Sequence, residues 1–181
     1  MTNTCACKID HPGPRSFVLL ALLFLAVLSG CKGDGLTDYQ REEIKKEECL
    51  NTLRAQGAKI TQKNYPRYGN GYVVDLSGAQ LTDSTFQNLK ELKRVAELDL
   101  SKSSLTDDQM DQLNGVAFFL AKLDLRNTAV TDAGLQKLTN LNFCFDLYLA
   151  GTKVTKAGVE NFKKQRLDRP TTKVKKINVH L

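Results

Sequence analysis

The sequence predicts an α/β fold of about four to five strand-turn-helix repeats stacked side by side behind an N-terminal capping helix. Three observations predict it. Four segments align without gaps: VVDLSGAQLTD (73–83), ELDLSKSSLTD (97–107), KLDLRNTAVTD (122–132) and DLYLAGTKVTK (146–156). A fifth start, KINVHL (176–181), follows, giving periods of 24, 25, 24 and 30 residues. Within each segment apolar residues alternate and then recur at helical spacing, and a threonine falls where each helix should begin.

The first apolar column reads Val74, Leu98, Leu123, Leu147, Ile177, and the second Leu76, Leu100, Leu125, Leu149, Val179. Their two-residue offset puts both on one face of a short strand. A third column, Leu81, Leu105, Val130 and Val154, follows the turn. Phe86, Met110, Leu135 and Val159, then Leu89, Leu113, Leu138 and Phe162, mark a helix face. One such unit cannot bury its own apolar face, so the units must stack.

The polar columns have local reasons. Thr82, Thr106, Thr131 and Thr155 suit helix N-caps, and Asp83, Asp107 and Asp132 place acid at the helix N-terminus. Lys156 breaks that column. Ser103, Thr128 and Thr152 can bond turn backbone through their hydroxyls, and Ala79 breaks that one. Periods of 20–29 residues with this L-x-L pattern mark leucine-rich repeats. The run LDLRNTAVTDAGL (123–135) resembles the ribonuclease-inhibitor-like repeats of bacterial surface proteins, and VTKAGV (154–159) is similar. The resemblance covers roughly residues 55–181 and implies a leucine-rich-repeat solenoid. It implies little about function, because the repeated residues are core, caps and turns.

Residues 37–56 read as the capping helix. Thr37 and Gln40 have capping-box spacing, Glu42 and Lys46 stand at i,i+4, and Gly57 suits the stop. Cys49, Leu50 and Leu53 would face the first repeat. Ala58–Gln62 and Tyr72–Leu76 are expected to pair as a hairpin turning around Asn70-Gly71. Residues 163–176, KKQRLDRPTTKVKK, hold seven basic residues and one acid. They suit a solvated end cap or, alternatively, a site for polyanions or lipid headgroups.

Residues 1–30 have the order of a secretory signal: Lys8 and Arg15, an unbroken apolar run at 17–28, then Ser29 and Gly30. Twelve helical residues rise about 18 Å, short of a bilayer core of about 30 Å. Leu28-Ser29-Gly30-Cys31 resembles the lipobox of bacterial lipoproteins at all four positions. That resemblance implies lipidation of Cys31 as the new N-terminus, with acyl chains such as palmitate fixing it to a membrane. Lys32 in place of Asp favours the outer membrane. The expected organisation is a signal peptide at 1–30, a tether at 31–36, an N-terminal cap at 37–72 and repeats at 73–181. The five-residue reach from Cys31 to Thr37 would keep the domain near the lipid surface.

Composition sets the remaining bounds. The chain of 181 residues is 41% apolar and 25% charged, with net charge +6, and about +5 without the leader. This modest basic excess identifies no partner, nucleic acid included. Of five cysteines, Cys5 and Cys7 lie in the leader, leaving Cys49 and Cys144 beside Cys31. Their spacing suits two buried thiols better than a disulfide or a zinc site. Outside the leader, which holds His11, the remaining histidine is His180. No P-loop, GxGxxG, HExxH or CxxC pattern occurs. The sequence therefore points away from an enzyme and from bound cofactors or metals.

The outward strand positions remain. One column alternates in sign: Glu97, Lys122, Asp146, Lys176. The next reads Asp75, Asp99, Asp124, Tyr148, Asn178. Its acids should repel by roughly 0.8 kcal/mol per pair in water, and Tyr148 would supply an aromatic anchor. Asp75, Asp99, Asp124 and Tyr148 are thus the candidate binding strip. The expected function is a membrane-anchored, non-catalytic interaction module of the cell envelope, its partner an unidentified envelope protein or peptide. The alternative is a structural envelope protein binding anionic lipid or polysaccharide through its basic C-terminal segment.

Overall fold

The computed structural model describes residues 36–116, 120–138, 141, 144–168 and 176–181. The leader, Cys31 and residues 169–175 of the basic stretch lie outside these. The chain divides into two units, Met1–Lys45 and Lys46–Leu181.

Of the first unit, the described part is the opening of helix α1 (Asp38–Ala55). The Thr37 N–H donates to Gln40 Oε1 (2.8 Å) and the Gln40 N–H donates to Thr37 Oγ1 (3.2 Å), completing the expected capping box.

In the second unit α1 ends at Gly57, whose left-handed backbone (φ +92°) suits a residue without Cβ. Strands β1 (Lys59–Tyr65) and β2 (Gly69–Asp75) follow, then helix α2 (Asp83–Glu91) and β3 (Val95–Asp99). A 3-10 segment (Asp107–Gly115), β4 (Leu120–Asp124), α3 (Asp132–Lys137), β5 (Cys144–Tyr148), α4 (Lys156–Asp168) and β6 (Asn178–His180) complete it. The strands form one open six-stranded sheet in sequence order, antiparallel between β1 and β2 and parallel from β2 onward. The protein is therefore α/β with a mostly parallel sheet.

The apolar columns set the register through β5. Val74 pairs with Leu98, Leu98 with Leu123, and Leu123 with Leu147. These residues, the helix-face pairs and the Leu76–Leu149 column all lie at 3% exposure or less, in one core. Cys49, Leu50 and Leu53 of α1 join that core, as expected of a cap. Cys49 and Cys144 are both buried and do not bridge each other. Burial pushes the Cys144 thiol up to about 12, with Arg166 opposing.

Two expectations are corrected. The β1–β2 hairpin has the predicted register, Lys59 on Asp75 and Gln62 on Tyr72. Its turn, however, is Pro66-Arg67-Tyr68 rather than Asn70-Gly71. Pairing continues past Gln62 to Tyr65 on Gly69, and the Tyr68 N–H donates to Tyr65 O (2.9 Å). The second correction is the register of β6. Leu147 pairs with Val179 rather than Ile177, and Tyr148 with His180 rather than Asn178. A slip of two residues preserves which side chains face the core, so alternation alone does not fix it.

The turns repeat a backbone feature. After each strand of β2 to β5 one residue is left-handed: Gly78 (+73°), Lys102 (+58°), Asn127 (+56°) and Gly151 (+75°). The N–H groups of Gly78, Lys102 and Asn127 donate to the next unit's Ser101, Arg126 and Ala150 carbonyls. The hydroxyls of Ser103, Thr128 and Thr152 bond Leu100, Leu125 and Leu149 carbonyls at 2.6–2.8 Å, as their column predicts.

Candidate functional site

The outward face of the sheet carries the predicted strip, and its chemistry differs from an array of free carboxylates. Each aspartate closes the turn after its own strand. Asp75 Oδ1 accepts the Ser77 N–H (2.9 Å), Asp99 Oδ1 that of Ser101 (2.8 Å) and Asp124 Oδ1 that of Arg126 (3.2 Å). In these three units Asp suits the position because a carboxylate two residues before a free N–H caps the turn, while the fourth unit makes its turn with Tyr148 there instead. Cations also stand against two of the three. Lys59 stands 3.8 Å from Asp75, and the Arg126 guanidinium grips both Asp124 oxygens at 2.7–3.1 Å.

Asp124 is consequently 0% exposed, covered from outside by surface side chains, and is no longer available to a partner. This corrects its place in the strip and the expected like-charge repulsion at that strand. Burial pushes its carboxyl up, but the Arg126 hydrogen bonds and charge outweigh that and hold it below the usual carboxylate range. Asp75 is also held low, chiefly by its Ser77 hydrogen bond.

Tyr148 is half-buried at the other end of the strip. The sequence reading missed its partner, because the β6 register was misplaced. The His180 ring stacks on Tyr148 with centroids 4.3 Å apart and planes within 10°. Lys122 Nζ lies 4.9 Å and the Arg126 guanidinium carbon 5.6 Å from the Tyr148 ring centroid, both within cation–π range. Asp146 accepts from Asn178 Nδ2 (2.9 Å) and stands 3.5 Å from His180 Nε2. A half-exposed aromatic plate framed by cations thus occupies the β4–β6 end of the face.

The neighbouring column is also tied down. Glu97 Oε1 accepts from Lys63 Nζ (2.7 Å) and from the Tyr65 hydroxyl (2.6 Å). Burial pushes the Glu97 carboxyl up, yet those two bonds hold it low overall. Burial, then the Glu97 bond and charge, raises the Tyr65 phenol. In β6 Asn178, rather than Lys176, completes this column.

The basic C-terminal segment is partly corrected. Arg166 is buried at 3% exposure, donating to the carbonyls of Leu141 and Cys144, so it is a core contact and not part of a solvated cap. Among the described residues no group of three or more His, Cys, Asp and Glu could hold a metal ion. No described helix is long and apolar enough to cross a membrane. No family model matches the sequence, and a search of the curated proteins finds no significant match.

Proposed function

We propose that this chain is a lipid-anchored, non-catalytic interaction module of the bacterial cell envelope. In this reading residues 73–181 form a leucine-rich-repeat solenoid, Cys31 carries the lipid, and an envelope protein or peptide binds the strand face. The solenoid reading is supported by units of 24 and 25 residues in register from β2 to β5, each with the same left-handed turn. The lipid anchor is supported by the LSGC run alone, with the outer membrane favoured by Lys32.

The Tyr148–His180 stack carries the binding reading. The other charged groups of the face are largely satisfied by one another, whereas this plate presents an exposed His180 ring on a partly exposed Tyr148. Tyrosine in such a position is a favoured interface anchor. Asp146 stands beside the stack, and the partly exposed Asp99 and Asp75 lie two and three strands away across the sheet, so a partner placing an aromatic or apolar group at the plate and basic groups farther along the face suits it.

The test is capture from envelope extract by the full chain and by a Tyr148→Ala, His180→Ala double variant. The variant should lose at least tenfold in capture, while its stability falls only by the stack itself, about 0.5–1.5 kcal/mol. Undiminished capture overturns the strand-face assignment. Mass spectrometry of the cell-derived N-terminus should find a lipid-modified Cys31. A start elsewhere overturns the anchor.

A further inference from the structure

The β1–β2 hairpin and the entry to β3 border an open surface cleft of about 450 Å³, within the size range of small-molecule sites. Gly71 and Ala96 lie in it, with the rings of Tyr65 and Tyr68. Three cations line it as well, Arg67, Lys93 and Arg94, and no acidic side chain does among the described residues. The cluster comes from two stretches 20 or more residues apart, brought together because β2 and β3 pair.

The cleft is preorganised. A Cβ on Gly71 would run into the Ala96 side chain and lie 3.4 Å from the Tyr65 ring, so the glycine lets that ring lie low across β2. The Tyr65 hydroxyl donates to Glu97 (2.6 Å), which fixes the ring. Gly69 takes a left-handed backbone (φ +73°), and Arg94 Nη2 lies 3.0 Å from where a Cβ would stand. The same Nη2 donates to Tyr68 O (2.6 Å), pinning the guanidinium by one of its five N–H groups. Lys93 reaches the site from a left-handed position (φ +57°) just past α2. Guanidinium and ammonium residues lining one cleft with apolar and aromatic surface match an oxyanion carried on a compact body.

We propose that this cleft binds a small ligand bearing a carboxylate or phosphate. Arg67, Lys93 and Arg94 hold the oxyanion, and Tyr65 and Tyr68 contact the ligand's body. The site is separate from the aromatic plate of Tyr148 and does not depend on it.

The full chain contains no tryptophan, so tyrosine fluorescence reports directly. It is titrated with inorganic phosphate, with galacturonate, and with phosphatidylcholine vesicles containing phosphatidylglycerol. A saturable change is expected with at least one. Response to the free anions but not to vesicles identifies a soluble ligand. A response to vesicles alone that substitution of Arg67 and Lys93 abolishes identifies a headgroup, since attachment through the N-terminal segment would survive that substitution. An Arg67→Ala, Lys93→Gly double variant should bind at least tenfold more weakly. It should melt no lower than wild type, because glycine relieves the left-handed backbone. Arg67→Glu, confined to an exposed turn, should weaken binding in the same direction. No saturable response to any of the three probes, or an unchanged midpoint in both variants, overturns the proposal.

Discussion

Asp107 holds Thr131 twice: Oδ1 accepts the threonine's backbone N–H at 2.8 Å and Oδ2 accepts its hydroxyl at 2.5 Å. Asp132 does the same to Thr155, at 2.7 Å for both bonds. The acid that opens one helix thus clamps the threonine that caps the next. Gly134 and Gly158 belong to the same device, because a Cβ on either would collide with the Asp107 or Asp132 carboxylate. Asp83 makes a different bond, accepting from Gln112 Nε2 (2.7 Å), and Gln109 stands where the later units have glycine.

The three aspartates should therefore differ. Asp107→Ala removes two charge-assisted bonds and should cost about 2–3 kcal/mol. Asp83→Ala loses an exposed bond and a helix-terminus charge, and should cost less than about 1 kcal/mol. Urea denaturation of both variants checks the order. Equal losses would show that the clamp adds nothing to the helix-end effect.

Leu125 is fully buried at mid-sheet. Leu125→Ala should cost about 2–5 kcal/mol. Lys102 is exposed, with φ +58°. Lys102→Ala should change stability by less than about 0.5 kcal/mol, whereas Lys102→Gly should stabilise by about 0.5–1 kcal/mol by relieving the left-handed Cβ contact. Melting temperatures should rise from Leu125→Ala through Lys102→Ala to Lys102→Gly.

The depressed carboxyls predict an acid limb. Asp75, Glu97 and Asp124 are all held below their ordinary values when folded. Their contribution is complete above the unfolded values near pH 4 and is lost as pH falls through the folded ones. The melting temperature should fall steeply below about pH 4. The gap between wild type and Asp124→Asn should shrink over the same interval. A constant gap from pH 7 to pH 2 would show that Asp124 is not held ionised by Arg126.

Cys144, 0% exposed and with its thiol pushed up to about 12, should resist alkylation at pH 8 in the native protein and react readily in urea. Peptide mapping after iodoacetamide treatment reads this site by itself. Rapid native modification would show that the β5 core opens.

The sequence made the sheet legible because its information sits in periodic side chains. The Val74–Leu147 column, the threonine caps and the hairpin register all follow from spacing. Tyr65–Pro66–Arg67–Tyr68 was read past as a turn because Asn70-Gly71 is the stronger local signal, yet both of those residues lie in β2. The β6 register was hidden because Ile177 and Val179 are both apolar and two apart. Only strand pairing separates them, and with them the Tyr148–His180 stack. Asp124 looked outward and available, and its cover is Arg126, a surface side chain that alternation does not constrain. The Tyr65–Arg94 cleft left no signal, since its residues fall outside every repeated column.

The proposed partner engages the strand face around Tyr148. A photocross-linking residue placed at position 148 of the full chain, in living cells, tests it most directly, with the same residue at Gln87 on the exposed surface of α2 as the reference. A discrete higher-mass adduct is expected from position 148, absent or much weaker from position 87. Adducts from position 87 alone, or equally from both, would contradict it.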